Sequence, residues 1–422
     1  MLNVHERSGG LVSECRRIDD PGDLLSLRGD AADERTFLSD PARDEAVAAC
    51  GVAAEVRTSG SDRFAEASRI LRALLARCET IGDGPGPIAV GGFAFEPDEP
   101  GSGRWREFGS LRLVVPELAW IRRGGVVWQV RTWHTDAEPI RREPPGVALV
   151  PPTALEDRAA WCARVREALA AITDGSLRKV VLAREREECV PAALDAEQVI
   201  RRLHDTRPTC TTFWIRRGAL DFVGSSPELL ARVTAGDVEA VALAGTARRQ
   251  DEHGADVAAA DALLACPKNR AEHVLVADEV RVELDEVCTS LVASPRTIER
   301  FPEAMHIATH FHGRLATAMD VLQVAGRLHP TSAVCGLPRT AASALIHERE
   351  PERGWYAGGV GWMDARGDGA FSVALRCGLL SPGRATIWAG AGIVAGSDPD
   401  AEYDETEAKM TAMASALAGA CP

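Results

Sequence analysis

The stretch VGWMDARGDGAFSVALRCGLLSPGRATIWAGAGIV, residues 360–394, decides the fold. Its apolar runs VGWMDA, AFSVALRCGLL and RATIWAGAGIV read as three strands separated by the short segments RGDG and SPG. Turns that tight join antiparallel neighbours, because a parallel pair needs a crossover of a dozen or more residues. The run Ala389-Gly390-Ala391-Gly392-Ile393-Val394-Ala395-Gly396 invites a dinucleotide-binding loop. Such a loop belongs to a strand-turn-helix unit near the start of a parallel fold, whereas this run closes an antiparallel meander. Its glycines serve close backbone approach to a ligand, with N–H groups offered to an anion, or simple tight packing.

Downstream, SDPDAEYDETEAKMTAMASALAG (397–419) reads as a helix with Asp398 as N-cap, Pro399 in the first turn and Gly419 at its end. Upstream, LLACPKNRAEHVLVADEVRVELDEV (263–287) has helical periodicity. TTFWIRR (211–217) and LDFVGSS (220–226), separated by Gly218, read as a hairpin. The helical stretch LEDRAAWCARVREALAAI (155–172) leads through Asp174-Gly175 into the strand KVVLARE (179–185). Residues 1–155 are loop-rich: the clusters GDGPGP, EPDEPGSG and REPPG separate strand-like runs such as LRLVVPELAWI and VVWQVRTW, with no catalytic motif. No internal repeat or low-complexity tract stands out.

A chain of 422 residues holds two or three average domains or one large sheet-based one. With 45% apolar and 26% charged residues, no segment is long and apolar enough to span a bilayer. The start, MLNVHERSGG, has no apolar core and predicts no signal peptide. Eleven scattered cysteines without a Cys-x-x-Cys pair argue against a disulfide framework and a zinc site, and fit a reduced cytoplasm. A net charge of −14 disfavours nucleic acid and anionic membranes as partners. Any anionic substrate therefore needs a locally positive pocket.

Lysine is nearly absent: Lys179, Lys268 and Lys409 stand against 45 arginines. Arginine is never neutral in a protein, whereas a buried lysine can lose its proton and act as a base. The surviving lysines therefore mark places where a compact or deprotonatable amine is needed, which points to an enzyme. Glu402, Glu405 and Lys409 share one helical face, either as a solvated salt-bridged surface or as part of a site. Glu272 sits beside His273, with Asn269 one turn earlier. One carboxylate from each of two facing helices, completed by waters and substrate oxygens, is a common way to hold Mg²⁺. Glu228 follows Ser225-Ser226-Pro227 at a strand end, as a helix-start glutamate or an exposed functional group. Arg376, inside the apolar AFSVALRC, must face water or pair with an anion. Of His306, His310 and His312, which have no acidic or cysteine partner nearby in sequence, at least two read as structural.

Together the stretches KVVLAR (179–184), GSSPELL (224–230), ALAGTARR (242–249), KNRAEH (268–273), LHPTSAVCGLPR (328–339), RGWYAGGVGWMDA (353–365), ALRC (374–377), AGAGIVAGSDP (389–399) and ETEAK (405–409) resemble the chorismate-utilising enzymes. These are the isochorismate, salicylate, anthranilate and aminodeoxychorismate synthases. The resemblance covers residues 156–422; residues 1–155 resemble the family loosely, chiefly through GGFAFEP. It implies an α+β fold of large antiparallel sheets flanked by helices, with the active site in a central cleft. Residues 1–155 would be an N-terminal α/β portion of that same fold, and 156–422 the chorismate-binding catalytic region.

Family roles then fall on particular positions. Lys179 resembles the base that activates water to attack C2 of chorismate, and Glu228 the acid that protonates the departing C4 hydroxyl. That pairing needs a neutral amine on one ring face and a protonated carboxyl on the other. Glu272 and Glu405 resemble Mg²⁺ ligands gripping the ring carboxylate, with Glu402 a further candidate. Arg376, Lys409 and the Gly390 and Gly392 backbone resemble the groups that bind substrate carboxylates. Gly245 and Thr246 resemble a loop near the C4 hydroxyl, His306 a pocket histidine used by family lyases, and Ala333 and Tyr356 parts of the substrate pocket. Family members that use ammonia do not usually carry a lysine at position 179, so water is the implied nucleophile. Ala333 stands where members that eliminate pyruvate tend to have threonine, so isochorismate is the implied product. Asn269 departs from a common acidic residue and Ser332 from a common proline. The resemblance thus implies a monomeric, Mg²⁺-dependent isochorismate synthase acting on chorismate, its product feeding siderophore, menaquinone or salicylate formation. A salicylate synthase is the nearest alternative. A chorismate-binding protein without turnover is disfavoured, since it would not need both an acid and a base.

Overall fold

A computed structural model describes residues 10–135 and 156–420, apart from 28, 30–32 and 102. Among these residues two large sheets form, one of twelve strands and one of ten. Neighbours are antiparallel, as short turns require. The exception is an edge pair of the larger sheet, Leu11–Ile18 with Glu79–Ile81.

The 360–394 meander supplies four strands, not the three expected, and divides them between the sheets. Gly359–Asp364 and Gly369–Val373 join the ten-stranded sheet, while Cys377–Ser381 and Arg384–Ile393 join the twelve-stranded one. The apolar run AFSVALRCGLL is therefore broken at residues 374–376, where Arg376 adopts a φ of 49°. Both halves are buried, so the sequence carries no polar punctuation at the break. The first such passage along the chain lies beside this second one. The chain leaves the larger sheet at the end of Leu220–Ser226 and enters the smaller one at Leu229–Thr234, with Pro227 and Glu228 between.

The expected hairpin forms, with Arg217 opposite Leu220. Its outer strand, Thr211–Arg217, pairs with Glu34–Asp40, and Gly359–Asp364 pairs with Ile88–Phe93. Strands from the first 155 residues thus extend both sheets, although the sequence there reads as mostly loop. Aromatic packing joins the same two parts of the chain. Trp105 packs edge-on against Phe222 at 5.4 Å between ring centroids and lies 5.6 Å from Trp388. One core cluster contains Trp105, Phe222, Phe371 and Trp388, so it draws on both sheets.

Helices cover the sheets. The periodic stretch 263–287 is two helices, His253–Ala265 and Pro267–Asp285, since Cys266 before Pro267 is driven to extended backbone (φ −64°, ψ 118°). The terminal helix, Pro399–Ala420, starts as expected, with the Ala401 N–H donating to Asp398 Oδ1 at 2.9 Å. Gly419 does not end it. That glycine lies within the helix and lets the Arg202 guanidinium pass where a Cβ would collide.

Trp105→Ala should lower the unfolding free energy by about 3–5 kcal/mol, the usual cost of emptying a large buried aromatic site. Chemical denaturation followed by tryptophan fluorescence measures this. A negligible shift of the midpoint would show that the N-terminal part is not integral to the core.

Candidate active site

The two passages between sheets lie side by side, and a cleft of about 510 Å³ opens next to them. All the residues nominated from sequence line it except Tyr356 and Glu402. Another cavity of about 470 Å³, lined among others by Leu38, Arg123, Arg232 and Trp362, gathers none of them.

Glu228 comes from the first passage. Its backbone N–H donates to Ser226 Oγ at 3.2 Å and its carbonyl accepts from the Val373 N–H at 3.0 Å. The side chain is 5% exposed, and burial pushes its carboxyl up to about 7, against the opposing pull of Lys179, Arg376 and Lys409. Desolvation wins because three nearby cations do not replace the lost water. A carboxyl raised this far holds its proton well above the usual carboxylate range, which suits an acid that must donate.

Lys179 opens the strand Lys179–Cys189 and is 1% exposed. Its Nζ lies 3.0 Å from Glu272 Oε1, contributed by the helix Pro267–Asp285. Gly392, opposite Val181 on the neighbouring strand, makes room for this pair: a Cβ there would run into the Glu272 carboxylate and reach Lys179 Cε at 3.2 Å. At Gly392, then, the missing side chain serves tight packing. Gly390 contributes its carbonyl, which accepts from Lys409 Nζ at 2.8 Å; the same amine donates to Glu405 Oε1 at 2.6 Å.

The smaller sheet forms the facing wall. Strand Asp237–Arg248 slips register against Ala304–Leu315 between Ala244 and Thr246, so Gly245 (φ 72°) is the extra residue of a bulge. The bulge aims the Gly245 carbonyl at His306 Nδ1, 3.3 Å away, and Thr246 Oγ1 lies 3.2 Å from the same nitrogen. Burial, helped by Arg376 and Lys409, pushes the His306 imidazole down to about 3, so the ring is neutral. His310 instead pairs with Glu299 at 2.6 Å, and His312 is exposed at the surface. Arg376, from the second passage, has no side-chain ion pair or hydrogen bond among the described residues and lines the cleft. Ala333 sits on a loop held by Arg353, whose Nη1 donates to the Val334 carbonyl while Nη2 donates to Val181 on the Lys179 strand.

Two nominations lie off the cleft. Tyr356 stands behind Gly390, stacked on Trp388 with 6.1 Å between ring centroids. Glu402 turns away to Lys268, with Nζ–Oε1 at 2.8 Å, and burial together with the neighbouring Glu405 charge raises its carboxyl. The apolar walls Val181, Pro227, Leu243 and Leu375 were not singled out from sequence. Each adjoins a motif residue, which is the signal that could have found them.

No three His, Cys, Asp or Glu side chains among the described residues are placed to hold a metal together. The cleft does offer two glutamates from different helices, a hard oxygen donor set. That set fits a cation which takes one or two carboxylates and fills its remaining positions with water and substrate oxygens.

Comparison with known proteins shows the family. The family described as "Chorismate binding enzyme" matches residues 4–418. The chain belongs to that family. It is 35% identical to the salicylate biosynthesis isochorismate synthase of Pseudomonas aeruginosa, over 94% of this chain and 88% of that protein. It is 32% identical to the isochorismate synthase EntC of Escherichia coli, over 90% of this chain and 94% of that one. Among solved structures, MenF, the menaquinone-specific isochorismate synthase of Escherichia coli, superposes with a TM-score of 0.80 at 25% identity. That alignment covers 97% of this chain and 95% of MenF.

The raised carboxyl of Glu228 has a stability consequence with a definite sign. Between the ordinary carboxyl value near 4.5 and about 7, the folded protein holds a proton that the unfolded chain has lost, so stability falls as pH rises through that window. Glu228→Gln should therefore be more stable than the parent at pH 8, by on the order of 3 kcal/mol, and nearly equal to it at pH 4. Thermal melts at the two pH values test this; equal melting at pH 8 would remove the buried-acid assignment.

Proposed function

We propose that this protein is a Mg²⁺-dependent isochorismate synthase, exchanging the C4 hydroxyl of chorismate for a hydroxyl at C2. The observation that carries the proposal is one cleft holding a buried carboxyl poised near 7, a buried amine and an unpaired guanidinium. Lys179 Nζ, when unprotonated, takes a proton from water as that water attacks C2. Both ring double bonds shift by one position through C1, C6 and C5, the C4–O bond breaks, and Glu228 gives its proton to the departing C4 oxygen, which leaves as water. Arg376 and Lys409 meet the substrate carboxylates, an assignment supported by Arg376 lining the cleft without a partner. Glu272 and Glu405 would hold Mg²⁺, which when bound neutralises carboxylate charge on the ring. Ala333 offers no hydroxyl to the pocket, and the neutral His306 keeps Nδ1 engaged with Gly245 and Thr246. Both features support release of isochorismate rather than elimination of pyruvate.

Purified protein incubated with chorismate and Mg²⁺ should yield isochorismate, resolved by chromatography, and a chelator should stop the reaction. Salicylate with pyruvate would overturn the product assignment, and unchanged chorismate the activity. Lys179→Arg, which retains charge but cannot act as a base, should lower kcat by about 10²–10⁴. A loss of only a few-fold would remove Lys179 from that role.

A further inference from the structure

All three lysines of the chain pair with glutamates at one place: Lys179 with Glu272, Lys409 with Glu405 and Lys268 with Glu402. Everywhere else a fixed positive side chain is arginine, and several of these clasp a carboxylate. Arg164 grips Glu156 through two nitrogens at 2.6 and 2.5 Å, and Arg216 holds Asp221 through Nε–Oδ1 at 2.7 Å and Nη2–Oδ2 at 3.0 Å. A guanidinium fork matches both carboxylate oxygens and gives a geometrically specific bond. An ammonium on a flexible stem is a point charge with three rotatable donors, so it can drop one partner and turn elsewhere.

Resting on the reading above, we propose that Lys179 and Lys409 are exchangeable counter-ions of Glu272 and Glu405. A divalent cation entering between those carboxylates displaces both ammonium groups, which then face the anionic substrate. Lys268 stays outside the exchange and keeps Glu402 turned away from the cleft, where that carboxylate is already 4% exposed. Three glutamates and three lysines cancel in charge and Arg376 adds a positive charge to the same cleft, so an arriving cation finds no excess of negative charge and must compete with two ammonium groups. When substrate is present, its carboxylates give the displaced amines new partners. Lys409 keeps its bond to the Gly390 carbonyl as an anchor while Glu405 is given up. Cation and substrate therefore strengthen each other's binding by the same factor. Arginine is unsuited at these positions because it would not let go.

The test uses Mn²⁺ as the probe, its binding measured by calorimetry and water-proton relaxation on the full chain without chorismate. Lys409→Met should bind Mn²⁺ at least about tenfold more tightly than the parent, since the competitor is gone. Lys409→Arg, which keeps the charge but clasps, should bind more weakly than the parent. Arg376→Gln removes a cleft charge that touches no glutamate and should stay close to the parent. If Lys409→Met fails to fold, Lys179→Met tests the Glu272 half with the same expectation. Unchanged or weaker Mn²⁺ binding in the methionine variant overturns the exchange, and so does equal tightening in Arg376→Gln. Parent protein that makes isochorismate while failing this test leaves the catalytic reading standing alone. The expected Mn²⁺ shifts in protein that leaves chorismate unchanged support the exchange and overturn the catalysis.

Discussion

The site depends on two adjacent crossings of the chain between sheets, fastened to each other through the backbone. Ser226 Oγ donates to the Val373 carbonyl at 2.5 Å, the Val373 N–H to Glu228 at 3.0 Å, and the Ser225 N–H to the Arg376 carbonyl at 3.2 Å. Within a sheet every backbone group is spent on the ladder and side chains stand in fixed alternation. At a crossing the ladder is interrupted and a side chain can be aimed along the seam. Glu228 and Arg376 are aimed in this way, one acidic and one basic, into the same opening. Lys179 and Gly392 come to that opening from the larger sheet, Gly245 and His306 from the smaller.

Desolvation, more than pair attraction, sets the protonation states there. Glu228 is raised although Lys179, Arg376 and Lys409 all favour its ionised form, and His306 is neutral at physiological pH. A protein of net charge −14 thereby gathers Lys179, Arg376 and Lys409 in its cleft, with Glu272 and Glu405 paired to the two lysines and Arg376 open to an anionic ligand. Burying an ionisable acid costs stability as pH rises from about 4.5 to about 7, a cost borne where chemistry needs a proton donor.

Much of this was legible along the chain, for different reasons at different residues. The hairpin at Gly218 and the Asp398 cap were readable because turn and cap chemistry is local. The motif residues were readable through their resemblance to one enzyme family, and most of them line the cleft. Tyr356 and Glu402 belong to the same motifs but face elsewhere. A motif fixes which residues are present, and the direction of a side chain depends on what packs behind it. Trp388 claims Tyr356, and Lys268 claims Glu402. The strands of the first 155 residues were hard to read because their partners lie far along the chain, as Glu34–Asp40 beside Thr211–Arg217 shows.

By itself the sequence determined an antiparallel meander, the set of acid, base and carboxylate residues, and the concentration of its three lysines in the motif stretches. The meander follows from turn length and the lysine pattern from residue type, while the acid, base and carboxylate roles are what the resemblance to one enzyme family implies. Tertiary structure alone decided that AFSVALRCGLL splits between two sheets, that Gly392 admits the Lys179–Glu272 pair, and that each lysine meets one glutamate. Those facts depend on contacts between segments far apart in the chain, where the space left by one residue sets the position of another.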